Sequence, residues 1–225
     1  MTNRNDIIKH VSQMILSLGV KSVRMDDVAS DMGMSKRTLY EMFGDKEELL
    51  YESLSFLMDE RCCNLSKKTE GCDNMLEVLL ISVHEVCGHG FSTDIERRLN
   101  HNLKKFYPAV HDRIRRLHSE RGLQNLKFAL DKCNKEGLLD PNADIELMAQ
   151  MFLMTAGLYL SDNSLALPES ITREEAFAVM TINFLRGLAS VKGLQIIDQT
   201  LARDAKRRLQ QGKEKNRKIL IKSNL

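Results

Sequence analysis

One stretch of the chain decides its fold: residues 24–50, which read RMDDVASDMGMSKRTLYEMFGDKEELL. Gly33 and Gly44 divide this stretch into short pieces, and glycine often follows the last turn of a helix. In each piece the apolar residues recur every three or four positions, which is the period of a helix with one buried face. The stretch therefore predicts one helix at about residues 25–32, a turn, and a second helix at about residues 36–42.

Capping residues stand at the expected starts of these helices. Asp26 and Asp27 fall in the first turn of the earlier helix, where the helix dipole favours negative charge. Ser35 precedes the later one, and serine is a preferred N-cap because its hydroxyl accepts a backbone N–H. Asp45 and Glu48 have the D-x-x-E spacing of a capping box, which predicts that another helix begins there.

The period of about 3.6 residues continues along the rest of the chain, and strict alternation of apolar and polar residues is hard to find. A first helix should end at Gly19. The three prolines fall just before or within the start of a helical pattern, where a missing N–H costs little. We therefore predict an all-α protein of nine or ten helices, with later helices at about 74–87, 94–106, 108–136, 143–161 and 172–190.

Composition excludes several classes of protein. The chain has 225 residues, of which 43% are hydrophobic and 28% are charged, a balance that excludes intrinsic disorder. Its longest mostly apolar run, residues 147–160, is too short and too polar to span a bilayer, so no membrane partner is expected. The first ten residues contain no apolar signal-peptide segment. The five cysteines show no metal-type C-x-x-C pair, and reduced thiols in a cytoplasmic protein are the simplest interpretation.

The formal charge of +2 conceals an uneven distribution. Residues 1–55 carry seven Lys and Arg against nine Asp and Glu, and residues 56–202 carry 17 against 20. Residues 203–225 carry nine against two, so the positive balance comes from this last segment. Net charge therefore cannot bring residues 1–55 to a negatively charged partner. Whether they bind one depends on where the individual cations lie. We expect Asp26, Asp27, Asp31, Glu47 and Glu48 to lie away from a cluster of Arg24, Lys36, Arg37 and Lys46.

Two short helices joined by a glycine-containing turn make a helix-turn-helix, whose second helix enters the major groove of DNA. The outer side of the second helix offers cations, a hydroxyl and a phenol, which are carried by Lys36, Arg37, Thr38 and Tyr40. Lys46, at the start of the next helix, is placed to bind a flanking phosphate. Side chains in the groove can read base edges, whereas a phosphate contact carries no sequence information.

Three segments in order, DDVA at 26–29, GMSKRTLY at 33–40 and FGDKEELL at 43–50, resemble the DNA-binding domain of the tetracycline-repressor (TetR) family. The resemblance covers about residues 5–60. It implies a homodimeric transcriptional regulator, usually a repressor, that binds a palindromic double-stranded DNA operator and a small-molecule effector. The implied domains are a DNA-binding domain at 1–60 with its helix-turn-helix at about 24–43, a helical ligand-binding and dimerisation domain at 61–201, and a basic C-terminal extension at 202–225.

The resemblance also implies which residues bind DNA. By position in the motif, the family's DNA contacts fall on Ser35, Lys36, Arg37, Thr38, Tyr40 and Lys46. Two residues depart from the family's pattern. Arg24 stands where a capping Thr or Ser is common, and it keeps the ability to bind phosphate. Glu41 stands where an aromatic or basic residue is common, and its carboxylate either accepts from a cytosine amino group or turns away from the DNA.

The expected helices at 143–161 and 172–190 are apolar on nearly all sides, and such helices are buried all round. In a chain of this size the second buried side comes most simply from a partner subunit, which predicts a two-fold, four-helix interface. The residues expected in this dimer interface are Met148, Met151, Phe152, Tyr159, Phe177, Met180, Phe184 and Leu188.

Other functions have weaker support. The sequence has no nucleophile motif, phosphate loop or dinucleotide fingerprint, so neither an enzyme nor a cofactor is expected. A metal site is not expected either, because His84 and Cys87 share a helix face without further ligands, while His89 lies beyond a glycine. Two alternatives stay open: a redox sensor at Cys62 and Cys63, with Cys72 nearby, and an anionic-ligand pocket in the basic segment 107–121. The residues that bind the effector are not assigned. The alternative function is a helical protein-interaction module without specific DNA binding.

Overall fold

The structure of the chain is a computed structural model that describes residues 3–88, 94–160, 168 and 170–222. These residues form ten α-helices and one isolated β-bridge, between Leu139 and Ala189, so the predicted all-α fold is confirmed. The helices are α1 (Arg4–Leu18), α2 (Met25–Asp31), α3 (Lys36–Phe43), α4 (Lys46–Lys68), α5 (Met75–Gly88), α6 (Asp94–Phe106), α7 (Pro108–Lys135), α8 (Ile145–Leu160), α9 (Arg173–Leu188) and α10 (Val191–Lys222). Within the described ranges, no helix has both the length and the apolar character needed to cross a membrane.

The chain divides into two compact units, and the first combines residues 1–70 with residues 85–124. In this unit α1 packs along α4. The Ser12 hydroxyl of α1 lies 2.9 Å from the main-chain oxygen of Ser53 in α4, so the two helices approach closely without burying an unpaired hydroxyl. Buried apolar side chains from six of the helices form one core, which includes Ile7, Val11, Val28, Leu39, Phe43, Leu49, Leu50, Leu103 and Val110.

The helix ends in the first unit lie close to their predicted positions. α1 stops before Gly19, whose φ of 80° suits a residue without a side chain. Asp45 accepts the Glu48 N–H at 2.8 Å, which is one half of the predicted capping box. The Glu48 carboxylate accepts hydrogen bonds from Arg113 of α7. Glu48 thus joins α4 to a helix 65 positions further along the chain.

The second unit combines residues 71–84 with residues 125–225. Here α8 and α9 pack against each other, and the ring centroid of Phe152 lies 4.8 Å from that of Phe184 and 6.3 Å from that of Phe177. The unit has its own apolar core, whose buried members include Leu76, Leu80, Leu130, Leu138, Leu139, Ala149, Ala156, Leu185 and Ile197.

A tight junction separates α9 from α10 in the second unit. Ala189 is extended and its neighbours bond across the bridge, with the Ser190 N–H donating to the Leu138 oxygen at 2.9 Å. Within the first turn of α10, a Cβ at Gly193 would lie 2.0 Å from the same Leu138 oxygen. Glycine is therefore needed at position 193 because no side chain fits there.

The basic C-terminal segment is the distal part of one helix, since α10 runs from Val191 to Lys222. Arg203 of this helix binds the carboxylate of Glu77 in α5, and Glu77 is buried. The side chains from residue 207 onward, and residues 223–225 altogether, lie outside the described part of the chain. The proposed domain boundaries at residues 60 and 201 stay predictions.

Candidate nucleic-acid interface

The turn between α2 and α3 positions α3. Gly33 has a φ of 63°, and the Met34 N–H donates to the Ala29 oxygen at 2.9 Å, which closes the end of α2. The Ser35 hydroxyl then accepts the Thr38 N–H at 3.0 Å, which confirms Ser35 as the N-cap of α3. These local bonds set the angle between the two helices.

The inner face of α3 holds the helix in the core of the first unit. Leu39 is fully buried and Phe43 is nearly so. Arg4 of α1 lies over the Phe43 ring, 4.2 Å from its centroid, and donates to the Met42 oxygen and to the Glu52 carboxylate. Arg4 therefore fixes the C-terminal end of α3. No local pattern in the sequence indicated this role, because its partners lie 38 and 48 positions away.

The outer face of α3 presents the predicted DNA contacts. Lys36, Arg37 and Thr38 are exposed in its first turn, and the Tyr40 side chain is exposed one position beyond Leu39. The Thr38 hydroxyl lies 2.8 Å from that of Ser35. The structure thus brings five of the seven predicted residues together on one surface, and their binding to DNA stays a prediction.

Each cation on this surface is paired with a carboxylate. Lys36 Nζ lies 2.9 Å from Asp26 of α2, and this hydrogen bond raises the pKa of the Lys36 ammonium. Arg37 Nε lies 2.9 Å from Glu41 Oε1, one turn along α3. The expectation that Asp26 lies away from the cluster is wrong, because its carboxylate lies against Lys36. Glu41 has taken a partner within its own helix.

The two remaining predicted contacts lie at the ends of neighbouring helices. Arg24 is exposed at the N-cap of α2 and makes no side-chain capping bond, as its departure from Thr or Ser implied. Lys46 begins α4, and its Nζ lies 5.1 Å from the centroid of the Tyr107 ring, within the range of a cation–π contact. Tyr107 was not among the predicted site residues. It precedes α7, and no local sequence signal links it to Lys46.

The basic segment 107–121 binds α4 at two points. Arg113 donates to Glu48 at 2.6 Å and 3.2 Å and lies over the Tyr51 ring at 3.8 Å. The hydrogen bonds to Glu48 raise the pKa of the Arg113 guanidinium. Arg121 donates to Asp59 at 2.6 Å. Two of the arginines considered for an anion pocket therefore hold α7 against α4.

A small groove adjoins Arg113 in the first unit. It has a volume of about 210 Å³ and is lined by Tyr51, Arg113, Arg116, Leu117 and Glu120. Ligand sites usually occupy about 300–1,000 Å³, so this groove would hold no more than a small molecule or part of one.

The predicted dimer residues lie on α8 and α9 with different exposures. Phe177 and Leu188 are buried within the chain itself, and Met151 is exposed. Met148, Phe152, Met180 and Phe184 are half-buried, and the side chain of Tyr159 lies outside the described residues. Three further apolar residues of these helices are also exposed, namely Leu147, Met154 and Val179. Their place in a dimer interface stays a prediction.

The cysteines lie in contrasting surroundings. Cys62 and Cys63 are exposed on α4, while Cys133 is buried in the second unit. Burial raises the pKa of the Cys133 thiol to about 12, so this residue stays protonated and unreactive at neutral pH. The side chains of His84, Cys87 and His89 lie outside the described residues.

Comparisons with known proteins give one family model that matches the N-terminal residues and several solved structures with a similar fold. Residues 13–52 match the model of the bacterial regulatory proteins of the tetR family. The structure of Salmonella enterica GusR is similar, with 20% sequence identity, a TM-score of 0.54 and coverage of 80% of this chain and 93% of that one.

Two further structures are similar. One is a putative TetR-family transcriptional regulator from Mesorhizobium loti, with 20% identity, a TM-score of 0.54 and coverage of 83% and 96% of the two chains. The other is a transcriptional regulator from Cytophaga hutchinsonii, with 16% identity, a TM-score of 0.57 and coverage of 82% and 97%. Identities this low show the fold alone. A comparison with curated protein sequences returns no match.

Proposed function

We propose that this chain, whose residues 13–52 match the model of the bacterial regulatory proteins of the tetR family, is a DNA-binding transcriptional regulator of that family and acts as a repressor. In this proposal a homodimer binds a palindromic operator through its two α3 helices. A small-molecule effector changes the affinity for that operator. The geometry of α3 carries the proposal: the helix is capped by Ser35, anchored by Leu39 and open on the side of Arg37 and Tyr40.

In the proposed complex the residues have two roles. Arg37, Lys36, Thr38 and Tyr40 read base edges, because α3 inserts its N-terminal part into the major groove. Lys46, Arg24 and Ser35 bind phosphates and fix the register of the protein on the duplex. Residues 1–55 need no net positive charge for this, since Lys36 and Arg37 are both exposed on the outer face of α3.

Operator binding by variants of α3 tests the base-reading role. A palindrome upstream of the gene is titrated with the wild type, Arg37→Ala and Tyr40→Ala, with fluorescence anisotropy as the measurement. Each substitution is expected to cost about 1–3 kcal/mol of binding and to relax specificity at one base pair of each half-site. Lys132→Ala, an exposed lysine in the second unit, is the matched control and should bind normally. Wild-type affinity in both α3 variants would remove α3 from the interface.

The salt dependence of the same titrations separates DNA binding from the alternative of a protein-interaction module. Each phosphate contact contributes a slope of about −0.9 in a plot of log affinity against log salt concentration. Lys46→Ala is expected to weaken binding equally for all sequences and to reduce that slope by about one. A chain whose helix-turn-helix binds only protein would show no salt-dependent DNA binding at any concentration.

The homodimer is proposed to form through α8 and α9. The exposed apolar side chains of Met151 and Met154, the latter 75% exposed, would be buried against the symmetry mate. Met151→Glu is expected to give a monomer in sedimentation equilibrium and to weaken binding to the whole palindrome far more than to a half-site. Val191→Glu, at an apolar residue of α10 that is 75% exposed, is the control and should remain a dimer. A dimer that survives Met151→Glu unchanged would place the interface elsewhere.

The effector response requires that the effector bind two conformations with different affinities. Fractions of a metabolite extract are added to the protein on operator DNA. A fraction that both shifts the melting temperature and releases DNA supports the proposal. If no fraction changes either quantity, the chain is a constitutive DNA-binding protein.

A further inference from the structure

The hydrogen bond between Arg37 and Glu41 uses one particular edge of the guanidinium group. The donor is Nε, the N–H nearest the aliphatic stem, at 2.9 Å from Glu41 Oε1. A guanidinium has five N–H donors in one plane, and the other four belong to Nη1 and Nη2 at its outer end. Within the described residues, no partner is found for these four, and the Arg37 side chain is 89% exposed. Arg37 is therefore held at its stem and open at its tip.

Other arginines of the first unit are bound differently. Arg113 donates to Glu48 through both Nη1 and Nη2, so its outer end is occupied by protein. Arg4 uses Nε, Nη1 and Nη2 on Glu52 and Met42. The Glu48 carboxylate accepts from both outer nitrogens of Arg113 and so joins α4 to α7. Glu41 leaves the outer nitrogens of Arg37 unoccupied.

The open end of Arg37 matches one base edge in the major groove. Guanine presents O6 and N7 side by side as acceptors, and the paired donors of an arginine bind both at once. Such a contact depends on the direction of the guanidinium plane as well as on its charge. A free arginine must lose rotamer freedom to reach this geometry, whereas an arginine already bonded at Nε loses less.

We propose that Glu41 is a positioning residue that directs the outer donors of Arg37 at a guanine. The inference rests on the proposed function of α3. In this proposal Glu41 neither reads a cytosine itself nor turns away from the DNA, which are the two possibilities that the sequence left open. Its negative charge is tolerated beside the DNA because it stays bonded to Arg37, and it adds specificity rather than affinity.

Selection from a randomised DNA library tests the inference, since such a library offers every base at every position of the site. The wild type, Arg37→Ala, Glu41→Ala and Glu41→Gln are each used to select DNA, and the relative affinity for every base at every position is read by sequencing. Glu41→Gln is the conservative variant, because its amide oxygen can still accept from Nε while the charge is lost. Asp26→Asn is the matched control, since it removes a carboxylate from Lys36, whose ammonium has no paired outer donors.

The expected pattern is specific to one base pair in each half-site. The wild type should prefer guanine there by about tenfold to a hundredfold, and Arg37→Ala should lose this preference. Glu41→Ala should reduce the same preference by about twofold to tenfold, the cost of ordering one long side chain, and Glu41→Gln should keep most of it. Asp26→Asn should raise affinity by up to about fivefold without altering the preference at the base pair that Arg37 reads.

Three results would overturn the inference. The first is a guanine preference that depends on Arg37 and is unchanged in Glu41→Ala. The second is a loss in Glu41→Ala at a position that Arg37→Ala does not affect, since Glu41 would then read its own base. The third is an Arg37→Ala and Glu41→Ala double variant that loses more than Arg37→Ala alone at this base pair. If the wild type shows no base preference at all, the proposed function of α3 fails, which is distinguishable from these three.

Discussion

Helix α3 and the first half of α7 are both rich in cations, yet they use them differently. On α7, Arg113 and Arg121 direct their outer nitrogens at Glu48 and Asp59 of α4, so those cations hold two helices together. On α3, Arg37 is bonded at Nε within its own helix, and its outer nitrogens are open. Two surfaces with the same positive charge can therefore differ in function, because the N–H donors that are not bonded to protein decide what a basic surface can bind.

The difference predicts separable effects of substitution. Changes on the buried face of α3 should affect both folding and DNA binding, whereas changes to its exposed residues beyond the Ser35 cap should affect binding alone. Changes to the α7 cations should affect folding and leave base preference unaltered.

The largest effect is expected from Leu39→Ala on the buried face of α3. Leu39 is fully buried, and its truncation leaves a cavity that should lower the free energy of unfolding by about 2–5 kcal/mol. Urea denaturation followed by circular dichroism measures this loss. Leu39→Met, which nearly conserves volume, should cost less than about 1.5 kcal/mol. Equal stability of Leu39→Ala and the wild type would mean that α3 is not anchored by its inner face.

A smaller effect is expected from Ser35→Ala, at the residue that both caps α3 and is predicted to bind phosphate. Loss of the hydroxyl acceptor for the Thr38 N–H should lower the free energy of unfolding by about 1 kcal/mol. Ser35→Asn, which preserves capping, is the control for stability. If Ser35→Asn restores stability but not operator affinity, the hydroxyl also binds DNA.

The smallest effect is expected from Arg113→Ala on α7. Its ion pair with Glu48 is partly exposed, so removing it should lower the free energy of unfolding by no more than about 1 kcal/mol. Base preference in library selection should be unchanged, in contrast to Arg37→Ala. A changed base preference would contradict the division of roles between α7 and α3.

Local chemistry explains what could be predicted from the sequence. The bounds of α2 and α3 follow from Gly33, Ser35 and the spacing of Leu39 and Phe43, all within a few residues of one another. The pair of Arg37 and Glu41 has the i,i+4 spacing of a helix surface and could have been found from that rule.

Long-range chemistry explains what could not be predicted. Nothing near Glu48 indicates that its carboxylate binds Arg113 rather than closing the capping box, because a tertiary partner 65 positions away competes with a local bond. Gly193 is a similar case. Its need for glycine comes from the Leu138 oxygen on another segment, and inside a helix a glycine gives no sign of such a contact.

Helix α4 has a mechanical consequence that follows from its length. Its 23 residues make a rod of about 35 Å, and Arg113 and Arg121 brace it at two points about 16 Å apart, Glu48 and Asp59. These two ion pairs join α4 to α7, so a tilt of α4 would carry the adjoining part of α7 with it. A tilt of about 5° around the far end of such a lever displaces Lys46 and the end of α3 by about 3 Å, close to the roughly 3.4 Å rise of one base pair. A small rotation of α4 would thus move α3 by a distance comparable to one base-pair step.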